Sequence, residues 1–538
     1  MAHPAQRRWY PLALAVAALV LLPLSVLLFS WHDIDRQIWA HLWQTQMLRL
    51  IGNTVTLVLG VGVGVTVLGV SLAWLTSLCE FPGRRWLDWA LMLPFAIPAY
   101  VLAFVFVGLL DFSGPVQSVL REWFGSGVRL PRVRSTGGVI TVLVLVFYPY
   151  VYLLARNAFL AQGKGLMEAA RVLGLNPWQA FWRVALPVAR PAIGAGLALA
   201  IMETLADFGA VSVFNYDTFT TAIYKTWYSF YSLTSATQLA SLLLLAVVLV
   251  LYGERRARGA VRPVSERPRG KALYHLTGAK AWAASGWCGL VFACAFVIPM
   301  LQLLVWFWQR GRFDLDERYT ALILHTLYLG AMAALITVSV GLLLAFARRL
   351  TPTRVMRSTV GVANLGYALP GSVLAVAIML AFSYLDRELV IPLSGWLGGA
   401  GKPLLLGSVA ALLLAYLIRF LAVAYGPLEN SLARVRPSLP EASRSLGVGG
   451  VGLFFRVYLP LLVPGVLSAA LLVFVDVLKE MPATLLMRPF GWDTLAVRIF
   501  EMTSEGEWAR AALPALTLVL VGLLPVILLI RRSARRFG

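Results

Sequence analysis

Charge is scarce in this chain of 538 residues: 13% of them are Asp, Glu, Lys or Arg against 59% hydrophobic, with a mean hydropathy of +0.78. That balance excludes an ordinary soluble globular domain, in which about a quarter of residues are charged. Cysteine is nearly absent as well. The three present, Cys79, Cys288 and Cys294, lie in or beside apolar runs without framework spacing, which excludes a disulfide scaffold and leaves them as small packing residues. Strict apolar/polar alternation is missing, which excludes the strands of a membrane barrel. A P-loop is missing too: Gly401-Lys402 has Trp396 where the motif needs its first Gly and Pro403 where it needs Ser or Thr.

Long apolar runs, by contrast, are plentiful. A hydrocarbon layer about 30 Å thick needs roughly 20 apolar residues per spanning helix. Such runs lie near residues 11–30, 50–78, 88–110, 138–155, 188–212, 235–252, 282–308, 321–347, 358–383, 403–424, 461–487 and 509–530. They predict an all-α polytopic membrane protein of about twelve transmembrane helices. Arg7-Arg8 ahead of a long first run, with no small-residue cleavage site, predicts a spanning helix and not a secretion signal.

The net charge of +21 invites a nucleic-acid reading, but the distribution argues against it. With the helices alternating from a cytoplasmic N-terminus, clusters such as Arg84-Arg85, Arg255-Arg256, Arg348-Arg349 and Arg531-Arg532 fall on the cytoplasmic side, as does the C-terminus. The opposite side receives basic and acidic residues in similar number. The excess is therefore positive-inside bias and implies a lipid bilayer, not nucleic acid. One stretch, Arg121 to Arg134, falls on the outer side against this rule.

The chain is also duplicated. Glu168-Ala-Ala-Arg-Val-Leu-Gly174 returns as Glu441-Ala-Ser-Arg-Ser-Leu-Gly447, 273 residues on (441 minus 168), and Leu186-Pro187 returns as Leu459-Pro460 at the same spacing. Upstream, Leu93-Pro-Phe-Ala-Ile-Pro98 matches Leu365-Gly-Tyr-Ala-Leu-Pro370. Residues 253–281 carry eight Lys/Arg, two Pro and two Glu and read as a basic cytoplasmic linker between six-helix halves at 1–252 and 282–538. An even number of helices per half makes the repeats parallel. Pro98 and Pro370 fall inside apolar runs, where the missing amide donor predicts matching kinks, although membrane helices also simply tolerate proline.

Within the polar loop, Asn157 to Leu173 predicts a helix ended by Gly174 as a left-handed cap, with Asn176-Pro177 starting the next. The second copy keeps Gly447 but has Gly449-Gly450 in place of Asn-Pro. Deeper in the spans, Glu203 and Asp207 sit four residues apart, as do Asp476 and Glu480 in the second half. Helical spacing puts each pair on one face, and pseudo-symmetry offers four carboxylates to a hard cation or an oligoamine. Lys479 offers a counter-charge to Glu480 or to Asp476, which would lower the net charge of the group. A second reading makes these acids buried polar groups that hold helices together.

These loops resemble the signature of permease subunits of binding-protein-dependent ABC importers: Glu-Ala-Ala, three residues, Gly, nine residues, an aliphatic residue, any residue, Leu-Pro. It reads Glu168, Ala169, Ala170, Gly174, Val184, Leu186, Pro187 in one half and Glu441, Ala442, Gly447, Val457, Leu459, Pro460 in the other, with Ser443 in place of the third Ala. The resemblance implies a type I importer fold in the bacterial inner membrane whose loops dock two ABC ATPase subunits, so that ATP and Mg²⁺ bind those partners and this chain is no enzyme and carries no cofactor. The surroundings Glu203-Thr-Leu-Ala-Asp207-Phe-Gly209, Asp476-Val-Leu-Lys-Glu480-Met-Pro482 and Arg488-Pro-Phe-Gly491-Trp-Asp-Thr494 resemble ferric-iron permeases. That likeness implies Fe³⁺ as substrate, met transiently by Glu203, Asp207, Asp476 and Glu480, and delivered by a periplasmic ferric-iron-binding protein to the loops at 213–234 and 488–508. Thiamine and polyamine permeases share the architecture. A proton-coupled secondary transporter is the rival of another class, in which the same carboxylates would relay protons.

Overall fold

The computed structural model describes residues 9–258, 274–396, 403–436, 438–448 and 450–535. Of the basic linker, residues 259–273 lie outside them, as does the Gly401-Lys402 pair. Among the described residues, ten helices are long and apolar enough to cross a membrane. Arg354–Tyr367 with Gly371–Ser394, bent by 108°, makes an eleventh if counted as one span, and the last apolar run is the helix Trp508–Arg535. Every apolar run expected to span thus contains helix, as hydrocarbon demands of a backbone with no water to bond.

Three features differ from the sequence expectation, each for a local reason. Pro98 and Pro370 do not kink continuous helices; they stand at complete breaks. Ile97 (φ −91°, ψ 120°) and Leu369 (φ −84°, ψ 119°) are extended, as steric conflict with a following proline ring dictates, and helices Ala99–Leu110 and Gly371–Leu385 start directly after each proline. The runs at 188–212 and 461–487 are not single helices either. They end at Ala206 and Lys479, and short helices Gly209–Val213 and Pro482–Met487 follow. Finally, Asn157 belongs to helix Thr136–Ala161, and the loop helix is a separate one, Gly163–Val172.

The Leu-Pro pairs have a structural counterpart that sequence reading missed. Pro187 and Pro460 cannot donate to the carbonyl four residues back, and the preceding turn is widened in both halves, at Phe181–Ala185 and Phe454–Tyr458. Leu186 and Leu459 instead donate five residues back, to Phe181 and Phe454. The same device precedes Ile298-Pro299 and Ile391-Pro392.

Two compact units emerge, and neither is a contiguous half. One contains residues 40–222, 245–315 and 499–538; the other contains 1–39, 223–244 and 316–498. In the first, helix Leu48–Leu78 packs along Thr136–Ala161 and Leu186–Ala206. Its glycines permit the approach: a Cβ at Gly69 would lie 2.9 Å from the Tyr152 amide nitrogen, and one at Gly64 would overlap Val144. Tyr148 and Tyr152 reach across to the Leu91 and Asp88 carbonyls at 2.8 and 2.9 Å, and Arg156 forms an ion pair with Asp88. The first helix after the linker joins this unit. Tyr274–His275 pairs in parallel with Cys79–Glu80, Ser285 donates to the Pro82 carbonyl, and Trp306 stacks on Phe104.

The other unit is built on Glu317–Leu350, Val409–Ala433 and Leu459–Lys479. Its partner helix comes from the start of the chain: Tyr10–Phe29 inserts Ala13, Val16 and Ala17 into a core with Leu344, Met356 and Leu421, and the Tyr10 and Thr353 hydroxyls share a 2.6 Å hydrogen bond. Each unit therefore takes its first helix from the opposite half of the sequence.

The exceptional basic stretch has local partners. Arg121 donates to the Phe112 carbonyl and stands 4.1 Å from the centre of the Phe112 ring, and Arg134 lies 3.7 Å from Asp111. Helix Pro115–Phe124, which carries Arg121, leaves Trp123 and Phe124 exposed beside it.

Replacing Gly64 by Leu should lower stability by about 1–3 kcal/mol through overpacking against Val144. Gly52→Leu on the same helix, where nothing lies within 4 Å of the built Cβ, is the neutral control. Equal melting temperatures for the two variants in detergent would contradict the packing described.

Candidate functional site

The duplicated loops close in the same way. Helix Gly163–Val172 ends where Gly174 takes φ +79°, and helix Ser438–Ser445 ends where Gly447 takes φ +79°. A side chain is disfavoured there because a Cβ crowds the following carbonyl, which is why both copies keep glycine. The turns share their hydrogen bonds: Leu173 and Leu175 donate to the Ala169 and Ala170 carbonyls, and Leu446 and Val448 donate to those of Ala442 and Ser443, at 2.9–3.2 Å. This is a Schellman closure. Since Ser443 contributes its carbonyl, the departure from Ala at that position leaves the geometry intact. Asn176 then caps the next helix reciprocally with Gln179, at 2.8 and 3.1 Å.

Each loop presents an apolar tip to solvent. Leu173 is 80% exposed and Leu446, its equivalent, 82%. Leu166 and Leu439 repeat the pattern about two turns earlier, and Trp182 and Phe455 repeat it beyond the glycine turn. Of the signature residues, Glu168, Ala169, Glu441 and Ala442 are exposed and Ala170 is buried. Matched exposed leucines on a capped turn give both halves the same apolar surface feature. The sequence signal for them was the repeat itself; exposure required the fold.

Of the four membrane carboxylates, Asp207 and Glu480 sit at helix breaks and Glu203 and Asp476 inside the preceding helices. Asp207 and Glu480 close the helices that carry Glu203 and Asp476: their φ values of −66° and −71° are still helical, so the spacing of four is kept, while ψ values of 127° and 105° turn the chain away after them. Each also caps the short helix that follows. The Val211 amide donates to Asp207 at 3.1 Å, and the Ala483 amide donates to Glu480 at 3.0 Å. Arg419, on helix Val409–Ala433, pairs with Glu480 at 3.1 Å. Among the described residues no three His, Cys, Asp or Glu side chains form a group able to hold a metal ion. Glu203 and Asp207 belong to one compact unit and Asp476 and Glu480 to the other, and within its unit Glu480 is buried in its pair with Arg419. Arg419 was not singled out by sequence; its signal was a lone cation inside an apolar run.

The loops that follow the breaks are tied down. Asp217 pairs with Arg49 at 2.8 Å while its carbonyl accepts from Asn53, and Tyr224 packs on Tyr228 with ring centres 4.5 Å apart. In the other loop Arg488 pairs with Asp493 and Trp492 stacks on His325 at 4.6 Å. Phe490 and Tyr231 project fully or almost fully into solvent.

Known proteins decide the family. The profile of the binding-protein-dependent transport system inner membrane component matches twice, over residues 65–253 and 337–537, once on each side of the linker. The chain belongs to that family. It is a multi-pass membrane protein of transport systems, with the duplication read from its loops. A relative along the whole length is the Fe(3+)-transport system permease protein FbpB 2 of Haemophilus influenzae, 27% identical over 508 residues, covering 91% of this chain and 90% of the relative. The putative ferric transport system permease protein FbpB 1 of the same organism is 25% identical over 89% of this chain and 76% of its own. The sulfate transport system permease protein CysW of Escherichia coli is 35% identical, but over 32% of this chain and 54% of its own.

Substituting Val for Gly174 or Gly447 should cost about 1–2 kcal/mol at each turn by forcing a branched side chain into the left-handed region. Faster protease cleavage at the altered loop is the expected readout, and unchanged cleavage would contradict the turn geometry.

Proposed function

We propose that this protein is the fused permease of an ABC importer that passes ferric iron from a periplasmic binding protein to the cytoplasm. The observation that carries the cargo is similarity over about nine-tenths of both chains to a permease named for Fe(3+) transport. Likeness to the sulfate permease covers about a third of the chain and supports the architecture more than the cargo. The acids at and before the breaks agree, because Glu203, Asp207 and Asp476 offer hard oxygen donors to a trivalent cation and repel an oxyanion.

Power comes from outside the chain. Two ATPase subunits dock on the tips at Leu173 and Leu446, with Glu168, Ala169, Ala170 and Gly174 forming one lever and Glu441, Ala442 and Gly447 the other. Nucleotide on those subunits biases the spans between two conformations by binding them unequally. The loops around 213–234 and 488–508 receive the binding protein, Phe490 and Tyr231 being its apolar contacts.

The test is uptake by the complex reconstituted with its ATPases and binding protein. ATP-dependent accumulation of Fe³⁺ is expected. Uptake driven by a proton gradient without nucleotide, or of sulfate in preference to iron, would overturn the reading. Leu173→Asp with Leu446→Asp should abolish copurification with the ATPase subunits and leave the spans folded. Glu203→Gln with Asp476→Asn should abolish iron uptake while that copurification persists.

A further inference from the structure

The two repeats differ at four positions that the fold brings together. The second half has Gly371, Tyr416, Arg419 and Thr484 where the first has Ala99, Leu143, Val146 and Val211. In the unit that contains residues 316–498, all four meet at Glu480. Arg419 Nη2 lies 3.1 Å from Glu480 Oε2, and the Ala483 amide donates to Oε1 at 3.0 Å. The Thr484 hydroxyl donates to the Glu480 carbonyl at 2.6 Å and is 2.6 Å from the Tyr416 hydroxyl. Gly371 completes the arrangement. A Cβ there would overlap both Arg419 Nη1 and Glu480 Oε1, so the missing side chain lets the ion pair rest against the first turn of helix Gly371–Leu385, directly after the Pro370 break.

The arginine has no counterpart at Asp207. There the carboxylate accepts from the Val211 and Ala210 amides, the carbonyl accepts from the Thr220 hydroxyl at 2.7 Å, and Val146 occupies the place of Arg419. The Glu480 side chain is 4% exposed and that of Arg419 14%. A cation seeking Glu480 would have to strip it from Arg419 and leave a guanidinium buried without its counter-charge, which is strongly unfavourable. At Asp207 no such exchange is required.

We propose that Arg419 commits Glu480 to a fixed brace at the Pro370 break, so that of the two equivalent carboxylates Asp207, and not Glu480, meets the cationic cargo. The assignment to Asp207 rests on the ferric-iron reading; the brace does not. The repeats have thereby divided between them a structural task and a cargo task.

The experiment uses the assembled complex with its ATPases and binding protein, and reads melting temperature alongside Fe³⁺ uptake. Glu480→Gln or Arg419→Met alone should lower the melting temperature by about 5 °C or more, since each strands a buried partner. The double variant should recover most of that loss, with half-saturation by Fe³⁺-loaded binding protein unchanged. Asp207→Asn keeps an oxygen for the Val211 amide and removes the charge, so it should leave melting unchanged and raise half-saturation about tenfold or more. A double variant as unstable as either single one would overturn the brace. Restored stability with uptake still lost would make Glu480 a cargo ligand and overturn the division of tasks. If the unaltered complex carried no iron, the ferric reading would fall along with the Asp207 assignment, and the melting cycle would still decide the brace.

Discussion

A backbone inside hydrocarbon has no water to bond, so every interruption of a spanning helix must supply its own donors and acceptors. The notable features of this protein are all solutions to that constraint. Asp207 and Glu480 interrupt a helix and cap the next, and widened turns ahead of four proline-bearing helices reroute the amide that would otherwise bond four residues back. Outside the spans, the glycine turns at Gly174 and Gly447 close the loop helices by the same economy of local bonds.

Much of this was legible in the residues. Apolar run length gave the helices, the recurrence of one polar loop gave the two halves, and glycine at a fixed place in each copy gave the left-handed turns. What was not legible depended on local sterics or on tertiary contact. Pro98 and Pro370 looked like kinks because apolar composition continues through them, yet the extended residue before each ring ends the helix outright. The spacing of Glu203 and Asp207 carries no sign that the helix ends at the second of them, where the chain turns to start another. Arg419 carried no motif at all; its meaning came from Glu480 on another element.

Internal duplication provides a comparison that a single-copy protein lacks. Where the halves agree, in the glycine turns, the widened turns and the exposed leucines at Leu173 and Leu446, the shared geometry identifies what both must do. Where they differ in concert, at Arg419 and the residues around it, the difference marks specialisation of one copy. The same position of the fourth long helix even reverses sign, with Arg156 bound to Asp88 in one half and Glu429 bound to Arg348 in the other. Pairing is kept there while the identity of the charges is not.

The exchange of first helices bears on how the chain is made. Helix Tyr10–Phe29 buries Ala13, Val16 and Ala17 in a cluster whose other helices begin supplying residues at Ile336, so it must wait in the bilayer while several hundred residues are synthesised. Joining the halves in one polypeptide holds that waiting helix at high effective concentration near its eventual seat, where two separate chains would have to find each other by diffusion.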